Sequence, residues 1–351
     1  MIDYQHNILS ITSTILSKYG IENNYPALDL DLSKYNKIVL ILMDGMGIYN
    51  MDPQDYLYSY LYTTLSTVFP PTTVAATTAL RTGKSPLESG WIGWKQYFEK
   101  EDRYYVMFLN YDYYHREYKS EEPIEKKMDY HSFYENLPVP SYEIYPAFKT
   151  KGMKHFHDQI EYCNKLLREN QECFIYIYQD EYDALEHKYG VHSKKVIDYR
   201  HYVNETMKKL EIDKDTIVLF TADHGHIDVE NIDLTLYPDL MDCFDHYPTL
   251  EYRALGLYVK EEKREFFEAK FKEYFGAYFK LMTKQEVLES HLLGYGIKHP
   301  LLDSFIGDYM ALATSNKTLS MHHIYPNIGQ HAGYTKEEME IPLVVLKKTQ
   351  D

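Results

Sequence analysis

Three carboxylates and three imidazoles stand out in the sequence: Asp44, Asp183, His187, Asp223, His224 and His331. Carboxylate oxygens and imidazole nitrogens together make a borderline-hard donor set that suits zinc, manganese or iron. A hydroxyl nucleophile is at hand in Thr72 or Thr73, directly before an apolar segment that reads as a helix. A threonine at a helix start sits where phosphate oxygens meet free backbone N–H groups and the positive end of the dipole. Its hydroxyl is a weak nucleophile unless a base or a metal activates it. Two divalent ions about 3.5–4 Å apart can hold the attacking and leaving oxygens of an in-line displacement. The chemistry suggested is transfer or hydrolysis of a phosphoryl group.

Each residue alone has a plainer reading. Asp44-Gly45-Met46-Gly47 suits a simple βα turn. It also matches part of a dinucleotide fingerprint, but Asn50 stands where the third glycine belongs, which weakens a dehydrogenase reading. Asp223-His224 suits a capped strand end, Asp183 and His187 an exposed i,i+4 pair, and His331 a loop. It is the combination that points to a metal centre. His226 reads as a supporting or loop histidine, and Arg81, eight residues beyond Thr73, as belonging to another helix face and not to the site.

Such residues need strand ends and helix starts to hold them. KIVLILM (37–43), FIYIY (174–178) and TIVLFT (216–221) are short apolar runs that read as buried parallel strands. The first ends in Asp44 and the third in Asp223-His224, and open α/β sheets bind ligands outside the carboxyl ends of their strands. TVAATTAL (73–80) reads as a helix entered from Pro70-Pro71 and closed near Gly83. Further helices are expected at 203–210 and 261–274, and further strands at 253–259, 309–314 and 341–346. The Tyr-rich, charged stretches 94–149 and 228–322 read as cap or insert segments of one 351-residue domain.

Composition narrows the classes. With 37 Lys+Arg against 53 Asp+Glu the net charge is −16, which does not suit nucleic acid or an anionic membrane as a partner. A small phosphorylated substrate remains compatible, because bound cations invert the local field. Cys163, Cys173 and Cys243 form neither a disulfide framework nor a CxxC pair. No apolar run approaches the ~20 residues of a membrane span. Residues 1–20 lack a basic start and a cleavage site, and read as an amphipathic helix of a cytoplasmic protein.

The ordered motifs resemble the alkaline phosphatase superfamily, in its type I phosphodiesterase/nucleotide pyrophosphatase branch. The matching stretches are KIVLILMDGMG (37–47), STVFPPTTVAATTALRTGKSPLESG (66–90), YIYQDEYDALEHKYGVHS (176–193), LFTADHGH (219–226) and GQHAGY (329–334). The resemblance implies an α/β core, a mainly parallel sheet flanked by helices on both faces, with a smaller cap. It implies two divalent ions, zinc first and manganese or iron as alternatives. Asp183, His187 and His331 would bind the first ion, and Asp44, Thr73, Asp223 and His224 the second. Thr73, ten residues before Gly83, would be the nucleophile and form a phosphothreonine-type intermediate; Thr72 is its neighbour and alternative. The substrate would be a phosphodiester or nucleotide. A phosphomonoesterase, phosphonate hydrolase or phosphomutase of the same superfamily, or a catalytically silent anion-binding relative, remains open at this stage.

Overall fold

The structure is a computed structural model and describes residues 2–321 and 327–348. Strand β1 (Lys37–Met43) is buried along all but its first residue. It lies between two parallel neighbours, and burial of successive residues along it means that both faces of the sheet are covered there, as its unbroken apolar run anticipates. Those neighbours are β6 (Cys173–Gln179) and β7 (Thr216–Thr221). The pairing is residue for residue: Leu42 stands opposite both Tyr178 and Thr221. The three strands therefore end at one level, with Asp44, Asp180 and Ala222-Asp223 just beyond.

Among the described residues this sheet has six strands. β5 (Ser141–Ile144) runs parallel to β6 at one edge. At the other side the strand Glu340–Lys347 pairs antiparallel with both β7 and β2 (Leu61–Ser66). The architecture is thus α/β with a mainly parallel sheet.

The stretches 94–149 and 228–322 hold more than a covering. They supply a second six-stranded sheet, antiparallel, in the order Phe279–Thr283, Tyr309–Ala313, Ala254–Val259, Phe244–Leu250, β3 (Lys95–Phe98) and β4 (Arg103–Val106). The apolar runs at 253–259 and 309–314 are strands of this sheet, not of the main one. A short run buried on both faces reports burial but not partnership. Residue 322, the end of the second stretch, lies outside the described residues.

The N-terminal helix also departs from its reading. α1 (Ile8–Lys18) is buried from Ile8 to Leu16, polar positions included, so it is not amphipathic against solvent. Its hydroxyls are satisfied internally: Ser13 donates to the Leu9 carbonyl at 3.1 Å and Thr14 to that of Ser10 at 2.6 Å. Thr12 donates to Leu80 in α2 (Thr73–Thr82), fixing one helix on the other. Bonded in this way, small hydroxyl residues can be buried at little cost.

Candidate metal centre

Asp44 follows β1, and the next residue, Gly45, has a φ of +79°. A Cβ there would stand 3.1 Å from the Cα and Cβ of Asp183. Glycine thus permits both the left-handed turn and the close approach of the helix Glu181–Tyr189 that carries Asp183 and His187. Gly47 likewise allows its loop to pass Gly225, where an added Cβ would lie 2.6 Å from the Gly225 Cα. The loops after β1 and β7 are therefore locked backbone to backbone.

Asp44, Asp223 and His224 present donor atoms all within 4.8 Å of one another. His224 Nε2 is 3.3 Å from Asp44 Oδ1 and 3.5 Å from Asp223 Oδ2. Asp223 Oδ1 accepts from the backbone N–H groups of Gly45 (3.1 Å) and His224 (3.0 Å). Its Oδ2 is buried and has no hydrogen-bond partner among the described residues. An orphaned carboxylate oxygen beside a second carboxylate and an imidazole is what a divalent cation would satisfy.

Asp183, His224, His226 and His331 make an adjoining group of donors within the same distance. His187 joins it through Nε2, 3.5 Å from Asp183 Oδ1, and His331 Nε2 stands at 4.0 Å. The imidazoles of His187, His224 and His331 rest their Nδ1 on backbone carbonyls, those of Gly329 (2.9 Å), Gly225 (3.3 Å) and Pro71 (3.1 Å). That contact fixes Nδ1 as the donor and leaves the Nε2 lone pair for a metal. His226 differs. Its Nε2 lies 2.6 Å from Asp183 Oδ1, and its buried Nδ1 has no partner among the described residues. It lies in the loop after β7, as the sequence reading has it, but it is held unlike the other three: it is a fully buried partner of Asp183.

The two threonines separate cleanly. Thr73 Oγ1 lies 3.3 and 3.4 Å from the two Asp44 oxygens and 3.3 Å from His224 Nε2. Thr72, the N-cap residue with extended φ/ψ, turns its hydroxyl away to Glu251 Oε1 at 2.6 Å. Thr73 is the first residue of α2, where backbone N–H groups lack intrahelical acceptors.

Electrostatics follow the packing. Burial, and then Asp44, push the Asp223 carboxyl far above the carboxylate range. Burial pulls His224 down, but Asp223 and Asp44 outweigh it and raise its pKa to about 10. Burial opposes ionisation of Asp183, yet His187 and His226 hold it well below its usual value. Burial lowers His226 to about 3, and lowers His331 with help from His224 and His226. Glu186 is buried beside Asp183 and far above its ordinary value. Its Oε1 accepts from Asn50 at 2.6 Å, so the residue that breaks the dinucleotide fingerprint braces this loop.

The structure brings all six candidate ligands and Thr73 together. Sequence reasoning passed over Tyr178, whose hydroxyl donates to Asp44 Oδ2. Its position one residue from the end of a strand beside β1 is the available signal. Arg81 does not lie on a face turned away from the site, as the sequence count of eight residues suggests. It lines the same 460 Å³ cavity as Asp44, Thr73, Thr77 and Asp183. Steps of four along a helix drift only about 40° each, so Thr73, Thr77 and Arg81 form one stripe.

A mainly parallel sheet with adjoining carboxylate–imidazole clusters beyond its strand ends, and Thr73 against one of them, accompanies membership of the alkaline phosphatase superfamily. Within it, the chain belongs to the type I phosphodiesterase/nucleotide pyrophosphatase family, whose model matches residues 38–334. No curated protein matches by sequence. Among solved structures, murine ectonucleotide pyrophosphatase/phosphodiesterase 5 aligns with a TM-score of 0.62 at 14% identity, covering 88% of this chain and 87% of that one. The human counterpart aligns at 0.62 and 16%, covering 88% and 87%. Phosphonoacetate hydrolase from Sinorhizobium meliloti 1021, in complex with phosphonoformate, aligns at 0.60 and 14%, covering 88% and 89%. At these identities the likeness is one of fold.

Proposed function

We propose that the protein is a metal-dependent phosphohydrolase that cleaves a phosphodiester or nucleotide pyrophosphate bond, with Thr73 as nucleophile. The observation that carries this reading is the placement of Thr73 Oγ1 against Asp44 and His224, beside the orphaned oxygen of Asp223. The donor set fits two divalent ions, zinc foremost. Asp44, Asp223 and His224 would hold one, with Thr73; Asp183, His187 and His331 would hold the other. Bound ions would supply positive charge that eases loss of the threonine proton and offsets the phosphoryl oxygens.

The protein's own groups do the positioning. Tyr178 orients Asp44, and Asp44 orients the Thr73 hydroxyl. The backbone N–H groups of Val74 and Ala75 face the phosphoryl oxygens at the start of α2. With its proton lost to solvent, the Thr73 oxygen attacks phosphorus. The Thr73 O–P bond forms as the bond to the leaving oxygen breaks. Water then cleaves the phosphothreonine, releasing the phosphorylated product and restoring the hydroxyl. Positioning and preorganised charge supply most of the rate.

One relative in the solved structures, an inactive threonine-to-alanine variant of the murine phosphodiesterase, is in complex with AMP, which supports a nucleotide as substrate. The phosphonoacetate hydrolase supports phosphonate cleavage as the second reading. The test is turnover of a chromogenic phosphodiester, a phosphomonoester, a phosphonate and a sulfate ester by zinc-loaded protein. Fastest turnover is expected for the diester, abolished by chelation and restored by zinc. A fully active metal-free preparation overturns the reading.

A further inference from the structure

The cavity that contains Thr73 has a second end. Thr73, Thr77 and Arg81 line one wall, along a single stripe of α2. Strand β6 lines the opposite wall with Tyr178 and Tyr176, two residues apart and so on the same face. Each wall thus has a group at the metal end and a group farther out. The spacing is about 12 Å along the helix from Thr73 to Arg81, and about 7 Å along the strand from Tyr178 to Tyr176. Tyr178 is bonded to Asp44, whereas the Tyr176 hydroxyl is buried and has no partner among the described residues.

Arg81 is held in a cage of tyrosine rings. Its Cζ lies 5.2 Å from the ring centre of Tyr130, 5.7 Å from Tyr145, and 5.8 Å from Tyr134 and Tyr176. Nε donates to the Tyr134 hydroxyl at 2.9 Å and Nη2 to Glu143 at 2.8 Å. Those bonds leave the Nη1 edge for another acceptor. Glu143 is 40% exposed, so water screens its charge, while the Arg81 side chain is 15% exposed. Lys149 stands at the same cavity, and its acidic lining residues besides the metal-site aspartates are Glu125 and Asp180. The lining also includes Phe108, Leu109 and Phe148, and the Phe148 ring packs on both Tyr178 at the metal end and Tyr145 of the Arg81 cage. An idle guanidinium edge beside an idle phenol is a donor pair without an acceptor, and a carboxylate or phosphate oxygen is the acceptor that suits it.

We propose that the outer end of this cavity is an anion subsite, in which Arg81 and Tyr176 bind a carboxylate or phosphate borne by the organic part of the substrate. The inference rests on the phosphohydrolase reading above and narrows it. The substrate has a reacting phosphoryl group, an apolar spacer and a second anion.

Inhibition of the chromogenic diester reaction tests it. Alkylphosphonates are compared with ω-carboxyalkylphosphonates of equal length, from two to eight methylenes, and with the matching α,ω-bisphosphonates. In the wild-type protein the second anion should improve inhibition about tenfold or more at one optimal length. The carboxylate and phosphonate series tell which anion the subsite prefers. In Arg81→Met the ratio within each pair should fall to near one. Tyr176→Phe removes a hydroxyl that no protein group uses, so folding should persist, and the ratio should fall about threefold. Arg81→Lys should restore part of the ratio, which a merely structural role for Arg81 would not predict. Equal inhibition within pairs by a wild-type protein that turns over the diester overturns the subsite alone. So does an unchanged ratio in both Arg81→Met and Tyr176→Phe. Neither turnover nor phosphonate inhibition in metal-loaded wild type overturns the subsite and the phosphohydrolase reading together.

Discussion

Two clusters of buried charge meet on the segment 329–334, and they are closed in opposite ways. Arg253 and Glu338 are both fully buried and pair through two bonds, Nε to Oε1 at 2.6 Å and Nη2 to Oε2 at 2.8 Å. The remaining edges are taken by protein. Arg253 donates to the carbonyls of Lys317 and Ser315, and Glu338 accepts from Gly333 N–H and the Thr335 hydroxyl. Two residues from Gly333, His331 belongs to the other cluster, where acids outnumber fixed cations and Asp223 Oδ2 and His226 Nδ1 have no partner. Charge that closes on itself ties the second sheet to the segment preceding the strand Glu340–Lys347. Charge left open is a place for something that the chain does not supply. The first cluster is a structural ion pair; the second is a candidate metal site.

That contrast can be broken by mutation. The largest effect should come from Thr73→Ala. Turnover should fall on the order of 10³–10⁵-fold, while metal content by elemental analysis stays at the wild-type value, because no carboxylate or imidazole is removed. Thr73→Ser should recover part of the rate. Retained activity in Thr73→Ala would break the assignment of the nucleophile.

Next comes Arg253→Met, which strands Glu338 in the interior. It should cost roughly 3–5 kcal/mol of stability in denaturant unfolding. A well-folded Arg253→Met of normal stability would show that the closed cluster is dispensable. Asp223→Asn is the mirror case. It should lose the second ion and about 10²–10³-fold in turnover, yet the metal-free protein should lose less stability than Arg253→Met, because the substitution relieves a carboxylate pushed far above its usual range by burial and Asp44 even as it removes one of the two carboxylates facing His224. Loss of stability comparable to that of Arg253→Met would erase the distinction between the clusters.

A smaller effect sharpens the comparison through protons. His224, raised to about 10 by Asp223 and Asp44 against the pull of burial, is an imidazolium in the metal-free protein near neutrality. Its folded pKa lies above the unfolded ~6.5. Its contribution to metal-free stability is therefore complete below about 6.5 and disappears as pH rises through about 10. A metal ligand must be neutral. Zinc uptake at pH 8 should release a proton from His224, and affinity should rise with pH up to about 10. Proton release into weakly buffered solution measures this; full uptake without release would remove His224 from the ligand set. The smallest effect belongs to Thr72→Ala, which loses only the bond to Glu251. A cost of about 1 kcal/mol and activity within a few-fold of wild type are expected.

Much of the site is legible in the sequence because it hangs on strand ends. Asp44 and Asp223-His224 each follow an apolar run of six or seven residues, and the paired register of β1 and β7 brings them level. Thr73 is legible because an apolar helix begins with it and Gly83, in the left-handed conformation, ends it. The rest is hidden for definable reasons. Tyr178 and Tyr176 sit inside a run whose sequence says only that it is buried. Arg81 is misplaced by counting eight residues without following the helical stripe. The second sheet is unreadable because its partners are distant in sequence and antiparallel: β3 at residue 95 pairs with Leu250. The segment His331–Gly333 gains its meaning from Pro71 and Glu338, which no local pattern links to it.

The bond from His331 to the Pro71 carbonyl spans 260 residues, and it bears on when the site can exist. A site drawing donors from Asp44 through His331 has no local precursor. Contacts of such long sequence separation form late, after most loop-closure entropy has been spent. Metal therefore cannot nucleate this fold as it does a zinc finger. During synthesis the first donors emerge long before the last, and the intervening histidines and aspartates can offer only weak, mismatched coordination. Tight binding must await the docking of the strand Glu340–Lys347 beside β7, which draws the preceding segment over the sheet end. On the proposed metal-dependent reading, occupancy of the two donor clusters would report completed topology, and metal-withholding conditions should slow activation without slowing folding.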